Sequence, residues 1–280
     1  MRRRISLLLA VTIILVMSVG ALGSVYASDV IIGEDPCELR NTDTIPDVTK
    51  AIQSIDDPIK QDLIIKYLFT PTSVETKITS SESAALGRTN TAEFDNSMVE
   101  QNAEQTTFLL DQIDLLLDMS VNDLKAEVAS IELKGQKVME EISRPLSNRE
   151  LNRIQEFSEL NAAAANSYAT TFTKIAKSGS LTVLSFEVEM SWQSSSNKIT
   201  YCAPSSFADS YVWYWGAYEI SSQNPVVNGS YATLTGKKAT FREVNTNGNY
   251  GAGYYYITMP TLRVNADGSY TPTSIPTVSM

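Results

Sequence analysis

Near residue 180 the apolar residues change period, and this restricts the folds open to the chain more than any other feature. Upstream, Leu110, Ile113, Leu117, Val121, Leu124, Val128, Ile131, Gly135, Val138 and Ile142 recur at steps of three and four, with one slip near Val121. This is a heptad-like seam, the pattern by which one helix packs along another. Downstream, Leu184, Phe186, Val188, Met190 and Trp192 alternate with Ser185, Glu187, Glu189 and Ser191. Alternation is what a strand with one buried face requires. The expectation is an α+β fold. A long antiparallel helical hairpin or three-helix bundle over 46–178 would be followed by an antiparallel β-sandwich or small barrel over 179–280.

Within the first part, Pro46 and Asp47 open a helix carrying Val48, Ile52 and Ile55. Asp57-Pro58 reads as an N-cap with proline at the first helical position, and Thr70-Pro71 ends the segment. The stretch 72–91 is rich in Ser and Thr without clear periodicity and reads as a loop. A continuous helix from Glu93 to Ile142 would be about 75 Å long at about 1.5 Å per residue. Gly135 on its seam would let a neighbour approach closely. Pro145 closes it, and Ser147 with Glu150 forms a capping box for a second helix. That helix would use Leu151, Ile154, Phe157, Leu160, Ala164, Tyr168, Phe172 and Ile175 as its face and end at Ser178-Gly179.

In the second part, strands are expected over 181–192, 198–202, 211–220, 230–235, 239–244 and 253–264. Asn228-Gly229, Asn247-Gly248 and Asp267-Gly268 are hairpin signals. No repeat at a fixed period occurs, and no motif carries a resemblance to a known family.

The N-terminus reads as a secretory signal peptide over 1–27. Arg2, Arg3 and Arg4 precede an apolar run, and Val25-Tyr26-Ala27 is a small-x-small cleavage site before Ser28. A retained anchor is the alternative, because Ile5 to Val25 is about 20 residues, enough to span a bilayer. The polar segment 28–45 then reads as extended. The destination is secretion or the outer face of the cell envelope. Outside the cytosol the only two cysteines, Cys37 and Cys202, are most simply a disulfide.

Removing the three arginines from the 22 Lys and Arg leaves 19 basic against 32 acidic side chains. With no phosphate-neutralising patch, nucleic acid is excluded as a partner. The chain has no histidine, which removes Ser-His-Asp and Cys-His catalysis, histidine zinc sites and imidazole bases.

All three tryptophans and most tyrosines lie after residue 180. In the run 211–218, Tyr211, Trp213 and Trp215 would share one strand face, with Tyr214 and Tyr218 on the other. Tyr254-Tyr255-Tyr256 cannot all enter one core. The candidate ligand-binding residues are therefore Tyr211, Trp213, Trp215, Tyr254 and Tyr256, weighed against a strand buried on both sides. Weaker signals have plain readings. Asp111, Asp114 and Asp118 read as a solvated helix face rather than a calcium site, and Asn265 to Ser269 as a hairpin turn. Glu187 and Glu189 read as outer-face residues rather than a glycosidase pair. Ser195 and Lys198 match the SxxK string but fall in a turn. Asn228-Gly229-Ser230 is a glycosylation sequon.

Together these readings lead to an exported or cell-surface, non-enzymatic binding protein with a helical stalk and an aromatic-rich β domain. It would need no cofactor and no metal. Its partner would be an extracellular glycan, protein or lipid surface, and the helices could support a homo-oligomer. A membrane-active secreted protein and a carboxylate-dependent hydrolase are the alternatives. The export reading predicts that N-terminal sequencing of secreted material starts at Ser28. A sequence starting at Met1 would instead support the anchor.

Overall fold

Two long strands carry the alternation read above. β5 (Leu181–Ser195) and β6 (Lys198–Ser210) form an antiparallel hairpin whose turn places Ser196 and Asn197 at positive φ. They are the middle of a six-stranded sheet described by a computed structural model covering residues 30–81, 91–143 and 167–273, with backbone alone at 80–81, 91–103, 138–143 and 272–273. The expected signal peptide, the capping box at 147–150 and the helix face from Leu151 to Ala164 lie outside the described residues.

On one side β5 pairs with β4 (Ser167–Ser178), which pairs with β3 (Ser73–Ser81), both antiparallel. On the other side β6 takes β1 (Ile31–Ile32) and β2 (Cys37–Asn41), both parallel. Two smaller antiparallel sheets complete the β structure of the described residues. One has the order β11-β10-β7, from Tyr250–Thr258, Lys238–Val244 and Trp215–Ile220. The other is β13-β12-β9-β8, from Tyr270–Thr273, Thr261–Asn265, Tyr231–Leu234 and Val226–Asn228. All three hairpin signals fall in turns, with Gly229, Gly248 and Gly268 at positive φ.

The layers meet over the apolar face of β5. The Trp192 indole donates to the Asn265 carbonyl at 2.8 Å, and the Phe172 and Tyr270 rings meet edge to face at 5.8 Å. Lys174, buried on β4, donates to the Thr258 carbonyl at 3.0 Å.

Among the described residues four helices join this core. α1 (Pro46–Gln53) and α2 (Pro58–Phe69) begin where their prolines predict. The Asp57 carboxylate accepts from the backbone of Ile59 and Lys60 at 2.9 and 3.2 Å, and α2 ends at Thr70-Pro71. α3 (Thr91–Asp118) and α4 (Val121–Ser143) take up the heptad seam. The slip near Val121 marks a break. Ser120 Oγ accepts from the Asp123 N–H at 3.2 Å and donates to the Asp123 carboxylate at 2.6 Å, starting a new helix.

The expected fold class is therefore overturned. Among the residues described with their side chains the fold is mostly β, with 48 % strand and 28 % helix, and neither a long helical hairpin nor a three-helix bundle occurs among the described residues. α4 packs on α2 and on β11 rather than along α3. Gly135 does allow a close approach, but by the end of α2. A Cβ there would lie 2.8 Å from Thr70 Cγ2 and 3.2 Å from the Pro71 carbonyl. Ser73–Ser81, read as loop, and Ser167–Ser178, read as helix, are adjacent strands. The expected boundary at 178/179 falls in the turn between β4 and β5.

The expected disulfide is also overturned, since both cysteines are free thiols. Cys37 stands opposite Ser206 on β6, whereas Cys202 stands opposite Ile32. Four residues of strand, roughly 13 Å at about 3.3 Å each, separate those positions, and a disulfide needs Cα atoms within about 7 Å. Burial pushes the Cys202 thiol up to about 12.

Besides the pairing of β1 and β2 with β6, the N-terminal segment has an electrostatic tether. Lys237, between β9 and β10, ion-pairs with Asp35, and their side chains are 1 % and 7 % exposed. A buried pair becomes costly when one partner is removed. Lys237→Ala should lower stability by roughly 3–5 kcal/mol. The double variant Lys237→Met/Asp35→Leu should recover most of that loss, as read from urea unfolding midpoints.

Candidate ligand-binding face

The β7-β10-β11 sheet has two unlike faces because Lys238, Thr240 and Arg242 alternate with Ala239, Phe241 and Glu243 along β10. Phe241, Ala239, Trp215, Ala217, Tyr255 and Ile257 are buried on the side covered by the helices. The Trp215 indole donates to the Phe69 carbonyl at 3.0 Å, and its ring meets Tyr255 at 5.8 Å. Burial of the Tyr255 phenol pushes its pKa up.

The opposite face is exposed and aromatic. Tyr218, Tyr250, Tyr254 and Tyr256 are 42, 45, 42 and 37 % exposed. Arg242 lies among three of them, its guanidinium carbon 4.8 Å from the Tyr218 ring centre, 5.2 Å from Tyr250 and 5.0 Å from Tyr254. Lys238 covers Tyr256 at 4.9 Å. Tyr254 and Tyr256 are parallel, with an interplanar angle of 1° and centroids 6.1 Å apart. Tyr218 and Tyr250 meet edge to face at 5.3 Å.

Local backbone features produce this grouping. Thr240 pairs with Glu219 and Phe241 with Ala217, so Tyr218 is the extra residue of a β-bulge. The bulge turns both Tyr218 and Glu219 to the exposed side. Gly216 provides the seat for Tyr250, because a Cβ there would lie 2.7 Å from that ring. Arg242 donates to the Gly251 carbonyl at 2.8 Å, which fixes the guanidinium across the two strands.

Of the five residues singled out from sequence, only Tyr254 and Tyr256 stand together on this face. Tyr211 to Tyr214 form a bend and turn rather than strand, so the expected alternation over 211–215 does not arise. Trp215 is buried. Trp213 is half-buried, edge-on to Phe69 at 6.5 Å, and its indole N–H has no partner among the described residues. Tyr211 lies elsewhere, its hydroxyl 3.1 Å from Ser185 Oγ. Sequence reasoning missed Tyr250, Arg242 and Lys238. The i, i+2, i+4 placement of Lys238, Thr240 and Arg242 was a readable signal, whereas the seat at Gly216 was not.

The remaining sequence candidates have structural roles. Ser195 and Lys198 flank the tight β5–β6 turn. Asn228 lies at the β8–β9 turn, its amide donating to the Tyr231 hydroxyl at 2.6 Å. Asp111, Asp114 and Asp118 are exposed on α3, and no metal-holding cluster occurs among the described residues. Glu187 and Glu189 lie on the face of the large sheet away from the core. Glu187 accepts from Thr173 at 3.3 Å and Glu189 from Ser191 at 3.1 Å. Burial raises the pKa of Glu187 and also that of Asp209, although Arg40 lies 3.8 Å from the Asp209 carboxylate.

Comparisons of the chain with protein-family models, with curated proteins and with solved structures found no match.

A carboxyl whose folded pKa is raised stabilises the fold below its unfolded value, and that contribution is lost as pH rises through the folded pKa. Glu187→Gln should therefore melt higher than the parent at pH of about 8, with the difference closing as pH falls toward the ordinary glutamate value of about 4.3. Calorimetry across that range tests this. A difference independent of pH would mean that the charge is not the cause.

Proposed function

We propose that this chain is an exported, non-enzymatic binding protein that meets its ligand through the exposed face of the β7-β10-β11 sheet, at Tyr218, Tyr250, Tyr254 and Tyr256 around Arg242. The supporting observation is the exposure of four tyrosines on one face of a sheet whose other face is filled. Tyrosine and arginine dominate binding hot spots, because each offers a large, stiff contact area together with hydrogen-bonding groups. The sheet holds the rings in place before a ligand arrives, so little side-chain entropy remains to be lost. The export reading of the N-terminus places the ligand outside the cytosol. Among the described residues no helix is long and apolar enough to cross a membrane.

The double variant Tyr254→Ser/Tyr256→Ser tests the reading, because both side chains are exposed and their loss should leave the melting temperature nearly unchanged. Adsorption of labelled protein to intact cells and to a mixed glycan and protein array should weaken by about thirtyfold, equivalent to about 2 kcal/mol. Equal adsorption by parent and variant would remove this face from the function.

A further inference from the structure

We infer that the ligand of this face is a polysaccharide carrying carboxylate groups, an inference that rests on the binding role proposed above. The first argument is charge. The protein carries a formal net charge of −10, and six of its described cations are answered by carboxylates within the chain. Arg40, Lys50, Lys66, Lys77, Lys177 and Lys237 each face a carboxylate at ion-pair distance. Arg242 and Lys238 instead face tyrosine rings and have no ion-pair partner among the described residues. Against the single carboxylate of Glu219 on the same side, these two cations leave the exposed face net positive on an acidic protein, complementary to an anion from outside. The Arg242 guanidinium carries five N–H donors, of which one is given to the Gly251 carbonyl and another, the Nε–H, is buried, which leaves the remaining N–H groups for a ligand. Carboxylate is the anion whose two oxygens match a guanidinium edge.

The second argument is the surface around the charge. A pyranose ring has an apolar C–H face and a rim of hydroxyls. Exposed tyrosine offers an aromatic plane with a hydroxyl that both donates and accepts. Tyr254 and Tyr256 repeat this unit along one strand at 6.1 Å with parallel planes, an arrangement suited to a ligand that itself repeats. A lipid surface fits less well. The exposed side chains of the face end in hydroxyls and charges, with no Leu, Ile, Phe or Trp among them to enter a bilayer.

The test compares binding of the full exported chain to polygalacturonate, alginate and hyaluronate with binding to fully methyl-esterified polygalacturonate, which keeps the ring and loses the charge. Polyglutamate and vesicles of anionic lipid serve as controls, and calorimetry at two salt concentrations is the readout. The expected result is binding to at least one of the three acidic polysaccharides that weakens with salt, with binding to the ester and to both controls at least tenfold weaker. Lys238→Gln, at the margin of the face, should weaken it roughly tenfold without a change in melting temperature, and Arg242→Gln by more. Equal affinity for the ester would overturn the carboxylate requirement while leaving the face as a binding site. Preference for polyglutamate or vesicles would overturn the polysaccharide. No binding to any of the three acidic polymers would overturn the inference outright. Adsorption to cells by the parent chain, lost in Tyr254→Ser/Tyr256→Ser, would then show that the binding role itself survives.

Discussion

Leu184, Phe186, Val188, Met190 and Trp192 put five large side chains on one face of a single strand, none more than 1 % exposed. At roughly 1.5–3 kcal/mol for each side chain fully buried, this row is a large part of what holds the molecule against its chain entropy. It also fixes register, because a slip of β5 by one residue would exchange this row for Ser185, Glu187, Glu189 and Ser191. With β5 fixed, β4 and β6 are held by their pairing with it, and the smaller sheets gain a floor to lie on. The Trp192 indole can bridge the layers only because the ring is held at that height, with Tyr168 stacked on it at 5.3 Å.

The β5 row was legible because long alternation admits one interpretation. β4 was not, and the reason is arithmetical. Tyr168, Phe172 and Ala176 are spaced by four, a step that keeps residues on one face of a helix and equally on one face of a strand. The β-branched Thr170, Thr171, Thr173 and Ile175 were the evidence against a helix. β3 was obscured differently. It lies at the edge of the large sheet, pairs only with β4 in the described sheet order, and needs little apolar content. Its Glu75 and Lys77 are the charged residues that suit an edge. The aromatic run at 211–215 misled for a third reason. Strand period was assumed across a turn, so residues expected on opposite faces were placed by loop geometry. The helix break at Ser120 was present as the slip in the seam, but a slip alone does not distinguish a coiled-coil stutter from two helices.

Charge organises the surface as firmly as burial organises the core. Along β2 and β6 the outer face of the large sheet brings Glu38 and Asp209 around Arg40, whose guanidinium also lies 5.3 Å from the Phe207 ring. At the N-terminal segment a buried pair, Lys237 with Asp35, adds to the pairing of β1 and β2 with β6 the fastening for which a disulfide was expected. Both are closed arrangements, in which positive charge is met inside the chain. The exposed face of the three-stranded sheet is open by comparison, its cations resting on rings. Cation–π contacts at exposed sites contribute about 0.5–1 kcal/mol each, enough to order the side chains and too little to neutralise them.

That face is stiff because of what lies behind it. Phe69 is the last residue of α2, and its carbonyl belongs to the set that a helix end leaves without an intrahelical partner. The Trp215 indole fills that vacancy, so the hydrogen bond that finishes the helix also anchors the first residue of β7. On the free edge of β7 the Asn41 side chain takes the place of another strand, accepting from the Ala217 N–H at 2.5 Å. β7 is thus fastened at its start by a helix and along its edge by the end of β2, and the bulge that turns out Tyr218 lies immediately after these two restraints. The exposed tyrosines therefore stand on backbone held by groups far from them in sequence. This is how a face with little covering of its own can keep a fixed shape for a ligand.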